Sequence, residues 1–231
     1  MVSVIVPTMW KANQFFFTVL PHVLDSEFVG EVIIIDNNSK ERPDHEILKH
    51  EKVIFSDPGR NLFFNPSLNL GVQIAENDLL CFMNDDILFE ARVFQFICEN
   101  YNKESMGMIY PHPRFFNRID DPSKRPTQFE LVESTKTMDG FGCCMFIHKD
   151  NYYEIPSELI HHFGDQFLHK MQLKAGRKNY YLYNWYAMTP MRVTTNQVPE
   201  VLDVIANDWS LYQEVYRKYG IDGTYVGGCE V

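Results

Sequence analysis

The chain has 231 residues, of which 45% are hydrophobic, and its formal net charge is −10. This length supports one large domain with a sizeable core, and the acidic balance disfavours a nucleic-acid partner, because extended nucleic-acid-binding surfaces are normally basic. No run approaches the roughly 18 apolar residues of a membrane span, and no signal peptide precedes the first strand. The five cysteines are odd in number and lack paired CxxC spacing. We therefore expect a cytoplasmic protein with reduced thiols and no transmembrane segment.

The beginning of the chain alternates short apolar strands with a helical pattern. Residues 3–8 predict one strand, and residues 32–35 predict a second strand that runs directly into Asp36. A strand, a helix and a strand in this order indicate a parallel βαβ unit. Asp36 is then placed to accept hydrogen bonds from a nucleotide base or ribose, as in dinucleotide-binding folds. Residues 7–10 contain no glycine, however, which argues against the phosphate loop of a Rossmann dehydrogenase.

The next strand of interest is the apolar run of residues 79–83, which ends abruptly at Asn84, Asp85 and Asp86. Such a run predicts a buried strand, and ligands bind at the carboxyl ends of strands in open α/β sheets. Two adjacent carboxylates repel each other unless a cation offsets their charge. Because no Cys/His cluster lies nearby, Mg²⁺ or Mn²⁺ fits these oxygen ligands best. Ordinary solvated loop acids are the alternative interpretation of this stretch.

The remaining elements follow from apolar periodicity and from helix start and stop signals. Strands are predicted at 53–55, 108–110, 143–147 and 180–185, and helices at 16–24, 65–75, 91–100, 165–175 and 208–219. Residues 111–137 contain four prolines and little periodicity, so we expect a long irregular excursion that acts as a lid or binding loop. The aromatic residues around Trp185 are interpreted as packing residues rather than as a sugar platform.

Short motifs recur in a consistent order along residues 2–185. They are Ser-Val-Ile-Val-Pro-Thr at 3–8, Ile-Ile-Asp-Asn-Asn-Ser at 34–39, Asn61 with Asn69 and Gly71, Met-Asn-Asp-Asp at 83–86, Asp139-Gly140 before a Gly-Cys-Cys-Met-Phe-Ile strand, and Gly164-Asp165 heading a helix that ends Lys-Ala-Gly. In this order they resemble the signatures of family 2 glycosyltransferases with the GT-A fold. The resemblance implies an α/β, Rossmann-like GT-A domain over residues 1–231, with a mixed, mostly parallel sheet flanked by helices. A composition shift near residue 105 separates a nucleotide-sugar-binding half, 1–105, from an acceptor-binding and catalytic half, 106–231.

The resemblance also implies an activity and the residues that perform it. A hexose would pass with inversion from a nucleoside diphosphate sugar, with UDP expected from its frequency in the family, to a hydroxyl group of a glycan acceptor. Asp165 matches the second acid of the family's Glu-Asp pair, the general base, and Asp86 is the expected ligand of Mn²⁺ or Mg²⁺. The expected donor-binding residues are Pro7, Thr8, Asp36, Arg60, Asn61, Asn69, Asn84 and Asp85. His161 and His162 are weaker candidates for contacts with acceptor or phosphate, and His169 for a two-ligand metal face with Asp165.

Three positions depart from the family pattern. Asn84 replaces the first acid of the metal motif, Gly164 replaces the first acid of the Glu-Asp pair, and Phe63 stands where a glycine is expected. No histidine completes the metal site in residues 186–189. These departures leave open a binding-only relative with weak or no activity. A nucleotidyltransferase is another alternative, but it would carry a basic, glycine-rich loop near its first strand, which is absent from residues 7–10. A carbohydrate-recognition module is the last alternative, and it would bind glycan without any nucleotide.

Overall fold

The computed structural model describes residues 1–117, 128–134, 141–190 and 193–224. Within these ranges the strands are β1 Val2–Thr8, β2 Val29–Asp36, β3 Val53–Ser56, β4 Leu79–Met83, β5 Leu88–Phe89, β6 Met106–Pro111, β7 Glu130–Ser134, β8 Cys144–His148, β9 Lys178–Tyr183 and β10 Ala187–Met188. The helices are α1 Asn13–Leu24, α2 Phe64–Ile74, α3 Val93–Asn100, α4 Gly164–Lys174, α5 Val193–Gln197 and α6 Pro199–Lys218.

Eight of these strands form one sheet in the order β3-β2-β1-β4-β8-β6-β9-β7. Neighbours from β3 to β4 are parallel, as are β6 and β9, whereas β8 runs antiparallel to β4 and β6, and β7 runs antiparallel to β9. The short strands β5 and β10 form a separate antiparallel pair. The predicted mixed, mostly parallel α/β sheet flanked by helices is confirmed.

The sheet separates two apolar cores because successive side chains of a strand point to opposite faces. In β1, Val4 and Val6 belong to one core and Ile5 to the other, and all three are fully buried. Full burial of such a side chain contributes about 1.5–3 kcal/mol. Helices α1 and α3 pack on the first face, and α2, α4 and α6 pack on the second. The central strands are therefore firmly held, and their carboxyl ends provide a rigid base for a site.

The predicted irregular excursion at 111–137 is wrong in part, because residues 130–134 form β7. This strand pairs with the edge of β9, with Val132 opposite Tyr181. Its pattern is weak because an edge strand packs on one side only and carries charged residues such as Glu130 and Glu133. Residues 118–127 and 135–140, including the Asp139-Gly140 motif, lie outside the described residues, as do 191–192 and 225–231.

Helix α6 is longer than predicted and starts at Pro199 instead of near Asp208. Proline is favoured in the first helical turn, where its missing N–H costs nothing. The packing role predicted for Trp185 agrees with its complete burial against Phe89, at 5.0 Å between ring centroids. None of the helices in the described ranges combines the length and apolarity needed to cross a bilayer.

Candidate active site

A cavity of about 490 Å³ opens beside the carboxyl ends of β1, β2 and β4. These three strands are parallel, so the polar residues that follow them meet at one edge of the sheet. Seven of the ten predicted site residues line this cavity: Pro7, Thr8, Asn61, Asn84, Asp85, Asp86 and Asp165. The structure therefore brings the acidic end of β4 and the first turn of α4 to one site.

Asp36 does not line the cavity, because its buried carboxylate is already engaged at the end of β2. It accepts hydrogen bonds from Trp10 Nε1 at 2.8 Å and from Arg42 Nε at 2.5 Å. The guanidinium of Arg42 also lies 4.9 Å from the centre of the Phe55 ring. The next residue, Asn37, does line the cavity. It was not among the predicted site residues, although it directly follows Asp36 at the end of a predicted strand.

Asn69 and Arg60 also lie outside the cavity lining. Asn69 Oδ1 accepts hydrogen bonds from the Ile155 N–H at 2.9 Å and the Tyr152 hydroxyl at 2.6 Å, and its Nδ2 donates to the Ile155 carbonyl at 2.9 Å. These bonds tie α2 to the segment that precedes α4, so Asn69 has a structural role here. Arg60 is exposed.

The acidic end of β4 is largely buried, and burial controls its protonation. The Thr8 hydroxyl donates to Asp85 Oδ2 at 2.6 Å. Burial, with a smaller contribution from the charge of Asp86, nevertheless raises the pKa of Asp85 to about 7, although the bond from Thr8 opposes the shift. Burial also raises the pKa of Asp86, against hydrogen bonds that include the side chains of Thr189 and Asn84. Asp86 Oδ1 and Asn84 Oδ1 are buried oxygens with no hydrogen-bond partner.

These oxygens fit a divalent cation that is bound together with its substrate. No group of three His, Cys, Asp or Glu side chains within the described ranges is arranged to hold a metal by itself. Mg²⁺ and similar ions need only one or two carboxylates when phosphate oxygens and waters complete the shell. Asp85 and Asp86 would supply the carboxylates, and a cation beside Asp86 would offset the cost of its buried, unpaired oxygen.

In the absence of metal, ionisation of Asp85 should destabilise the fold as the pH rises. The folded protein holds this proton with a pKa of about 7 against an ordinary value of 3.8. The resulting stability is complete below pH ~4 and is lost progressively up to about pH 7, to the extent of at most about 4 kcal/mol. In EDTA, we expect the Asp85→Asn variant to have a higher denaturation midpoint than wild type at pH 8 and the same midpoint as wild type at pH 4. The exposed Asp150→Asn is the control, and equal midpoints for Asp85→Asn and wild type at pH 8 would contradict the shift.

Asp165 lies in the first turn of α4, where its Oδ1 accepts a hydrogen bond from the Gln166 N–H at 2.7 Å. Burial raises the pKa of the Cys143 thiol well above its usual value, and the nearby charges of Asp86 and Asp165 add to this effect. Both carboxylates are therefore close enough to act on one residue of the cavity lining. A Cβ at position 142 would lie only 2.3 Å from Asp165 Oδ2, so a side chain there would force the Asp165 carboxylate to move.

Gly164 is in tight contact with Asn65 of α2. A Cβ at position 164 would lie 2.2 Å from Asn65 Oδ1. Asn65 cannot easily move away, because its Nδ2 donates to the carbonyls of Leu159 and His162, each at 3.0 Å. The Asn65 amide thus leaves no room for a glutamate side chain at position 164, where the family's Glu-Asp pair has its first acid.

The segment before Asp165 is anchored by α6. The fully buried Asp208 carboxylate accepts hydrogen bonds from the N–H groups of residues 160, 161 and 162 at 3.1, 2.7 and 2.7 Å. His161 and His162 line the cavity, as the sequence allowed. Burial lowers the pKa of His161 to about 4, so this ring is neutral at physiological pH.

Two further residues show what the sequence did not reveal. Thr189 reaches Asp86 because β10 pairs with β5, an interaction between two-residue strands that no local pattern predicts. His169 does not form a metal face with Asp165. It is buried, and its Nδ1 lies 2.8 Å from the Tyr110 hydroxyl and 3.1 Å from Asn179 Nδ2.

Comparison of the sequence with models of protein families shows which family this chain belongs to. The model described as Glycosyl transferase family 2 matches residues 3–164, which is more than half of the chain. The chain belongs to glycosyl transferase family 2. A search of the curated proteins found no match to this family 2 chain.

Solved structures similar to this family 2 chain share its architecture. A crystal structure of TarS residues 1–349 from S. aureus in complex with UDP-GlcNAc has a TM-score of 0.55 at 17% identity, covering 81% of this chain and 58% of that one. The structure of GalNAc-T7 with UDP, GalNAc and Mn²⁺ has a TM-score of 0.57 at 12% identity, covering 82% of this chain and 43% of that one. The structure of the mannosyltransferase PcManGT from Pyrobaculum calidifontis with GDP-Man and Mn²⁺ has a TM-score of 0.55 at 12% identity, covering 78% of this chain and 54% of that one. The predicted GT-A fold is confirmed, and the chain spans 58% or less of the length of these three structures.

Proposed function

We propose that this chain transfers a hexose from a nucleoside diphosphate sugar to an acceptor hydroxyl, with inversion at the anomeric carbon. The observation that carries the proposal is that one cavity contains both Asp86, at the end of β4, and Asp165, at the start of α4. Its volume of about 490 Å³ lies in the range of small-molecule sites.

The donor would bind at the carboxyl ends of β1 and β4. Pro7, Thr8, Asn61 and residues 84–85 line this side, and a bound divalent cation would neutralise the charge that develops on the departing diphosphate. UDP-sugars are the expected donors. TarS and GalNAc-T7 were crystallised with UDP-GlcNAc and with UDP, respectively, and the latter with Mn²⁺.

The acceptor would bind beside Asp165. Its hydroxyl oxygen attacks the anomeric carbon while the bond from that carbon to the diphosphate oxygen breaks on the opposite face of the sugar. The Asp165 carboxylate accepts the proton that leaves the hydroxyl, which is general base catalysis. Attack from the face opposite the leaving group inverts the configuration.

A relative that binds nucleotide sugars without transferring them is the second candidate. It is favoured by Gly164 and Asn84, because each replaces an acid of the family pattern. Position 164 supplies no carboxylate, and Asn65 fills the space beside it.

A thermal-shift screen of UDP-, GDP-, dTDP- and CDP-sugars, each with and without Mn²⁺, tests the proposal. A ligand that binds only the folded state at 100 times its Kd stabilises it by about 2.7 kcal/mol, so a true donor should raise the Tm by several degrees. We expect the largest shift with a UDP-sugar and Mn²⁺. Binding without slow hydrolysis of that sugar identifies the second candidate, and a shift with free glycans but with no nucleotide sugar would refute the proposal.

A further inference from the structure

Helix α6 lies beyond residues 3–164, the part matched by the family model, yet it contributes Trp209 to the cavity. This side chain is 44% exposed, whereas Trp10 and Trp185, the other tryptophans of the chain, are 4% and 0% exposed. A large aromatic side chain that is partly exposed within a ligand-sized cavity offers an apolar face to a bound molecule.

Trp209 is held in place by two aromatic rings. Its ring is nearly perpendicular to those of Phe163 and Tyr212, with centroids 4.8 and 5.7 Å away. Phe163 in turn stacks on Tyr212, with 4.2 Å between ring centroids and an interplanar angle of 11°. The preceding residue, Asp208, anchors α6 to the segment 160–162 that leads to Asp165. The indole is thus held on the Asp165 side of the cavity, and little conformational entropy is lost when a ligand packs on it.

Two side chains of the same cavity carry polar atoms without a partner. His161 Nδ1 and Gln166 Oε1 are buried atoms that make no hydrogen bond. Such atoms are rare in folded proteins and call for an explanation. His161 is neutral at physiological pH, because burial lowers its pKa to about 4, so its Nδ1 accepts or donates a hydrogen bond according to the tautomer. A ligand with hydroxyl groups satisfies both atoms, because a hydroxyl can donate as well as accept.

The charges of the cavity favour an uncharged ligand on this side. Asp165 is the acid on this side, and no lysine or arginine among the described residues lines the cavity. A phosphorylated or carboxylated acceptor would have to approach Asp165 without a compensating basic side chain, which costs binding free energy.

We propose that Trp209 is the stacking residue of an acceptor subsite for an uncharged glycoside, whose pyranose ring packs on the indole while its hydroxyls form hydrogen bonds with His161 and Gln166. A pyranose combines an apolar face with a rim of hydroxyl donors, which is the complement of these residues. The assignment of this ligand as the acceptor rests on the proposed function, whereas its binding does not.

Fluorescence titration tests the binding directly. Trp209 is the exposed tryptophan, so its emission should respond to a ligand that covers it, while Trp10 and Trp185 are shielded. The probes are methyl α- and β-glycosides of glucose, galactose, mannose and N-acetylglucosamine, with lactose and cellobiose. We expect a saturable change with at least one probe, and loss of that change in Trp209→Phe. No change with any of these probes, or a change only with a neutral detergent or a peptide, overturns the proposal.

Kinetics with the best of these glycosides as acceptor provide the second test. Trp209→Ala should raise the KM for the glycoside about ten-fold and affect kcat less, and Trp209→Phe should restore most of the affinity. Leu202→Ala is the matched control, because Leu202 is 56% exposed on the same helix but does not line the cavity. An unchanged KM in Trp209→Ala, or an equal increase in Leu202→Ala, refutes the subsite. If wild type neither hydrolyses nor transfers from any nucleotide sugar, the proposed function fails, and the fluorescence titration alone decides this inference.

Discussion

Asp165→Asn should lower kcat for sugar transfer by about 10³-fold, because an amide cannot accept the proton of the attacking hydroxyl. The substitution preserves side-chain shape, and Asn Oδ1 can still accept the hydrogen bond from the Gln166 N–H that Asp165 Oδ1 accepts now. Donor affinity should therefore be retained. Steady-state kinetics with saturating donor and acceptor measure the first effect, and calorimetric titration with the donor in Mn²⁺ measures the second.

The control for Asp165→Asn is Asp78→Asn, which removes an exposed carboxylate next to the amino end of β4, away from the cavity. This variant should transfer at the wild-type rate. A kcat of Asp165→Asn within a few-fold of wild type would remove Asp165 from the role of general base. Equal loss of donor binding and of kcat would instead indicate that the carboxylate supports the structure of the site.

Asp86→Asn should reduce transfer by at least about 100-fold and should abolish the extra stabilisation that Mn²⁺ gives in the presence of UDP. Neutralising a departing diphosphate is worth several kcal/mol, and each 1.36 kcal/mol corresponds to a factor of ten in rate. Asp86 is buried with one unpaired oxygen, so an amide at this position removes the charge that would attract the cation.

A thermal-shift titration of Mn²⁺ at fixed UDP separates this effect from a general loss of stability. The Asp86→Asn protein should melt at the same temperature with and without Mn²⁺, whereas Asp78→Asn should respond as wild type does. An undiminished Mn²⁺ response in Asp86→Asn would place the cation elsewhere or show that donor binding needs none.

The positions of the main strands follow from local patterns. Residues 32–35 and 79–83 are short apolar runs with polar ends, and the structure buries them in β2 and β4. Once these strands are parallel, their carboxyl ends must share one edge of the sheet, so the convergence of Thr8 and Asp85 was predictable. The acidic end of β4 was therefore the most secure part of the site to predict.

The other side of the site depends on contacts between distant segments. Trp209 enters the cavity because Asp208 binds the backbone of residues 160–162, and nothing near Trp209 in the sequence indicates that partner. Asn69 matched a family position but is used to bind the segment at Ile155. Side-chain partners of this kind are set by tertiary packing, which single-sequence patterns do not encode.

The backbone conformation of Phe63 shows why the family pattern has a glycine at this position. Its backbone has φ 62° and ψ −163°, a region that glycine adopts readily and that other residues enter at a cost of about 1–3 kcal/mol. The glycine expected at this position matches the backbone that the turn before α2 requires. Phenylalanine adopts the same conformation and places its side chain in the cavity lining, which adds an aromatic surface near Asn61.

The contact between Gly164 and Asn65 makes two positions on different helices interdependent in evolution. A mutation to glutamate at 164 alone would drive its Cβ into an amide that two hydrogen bonds hold in place, so the change would strain the fold at the start of α4. Replacement of Asn65 by a smaller residue has to come first, and it releases the carbonyls of Leu159 and His162. A chain that carries a glutamate at position 164 must therefore lack the Asn65 amide, and the segment leading to Asp165 is then less firmly held.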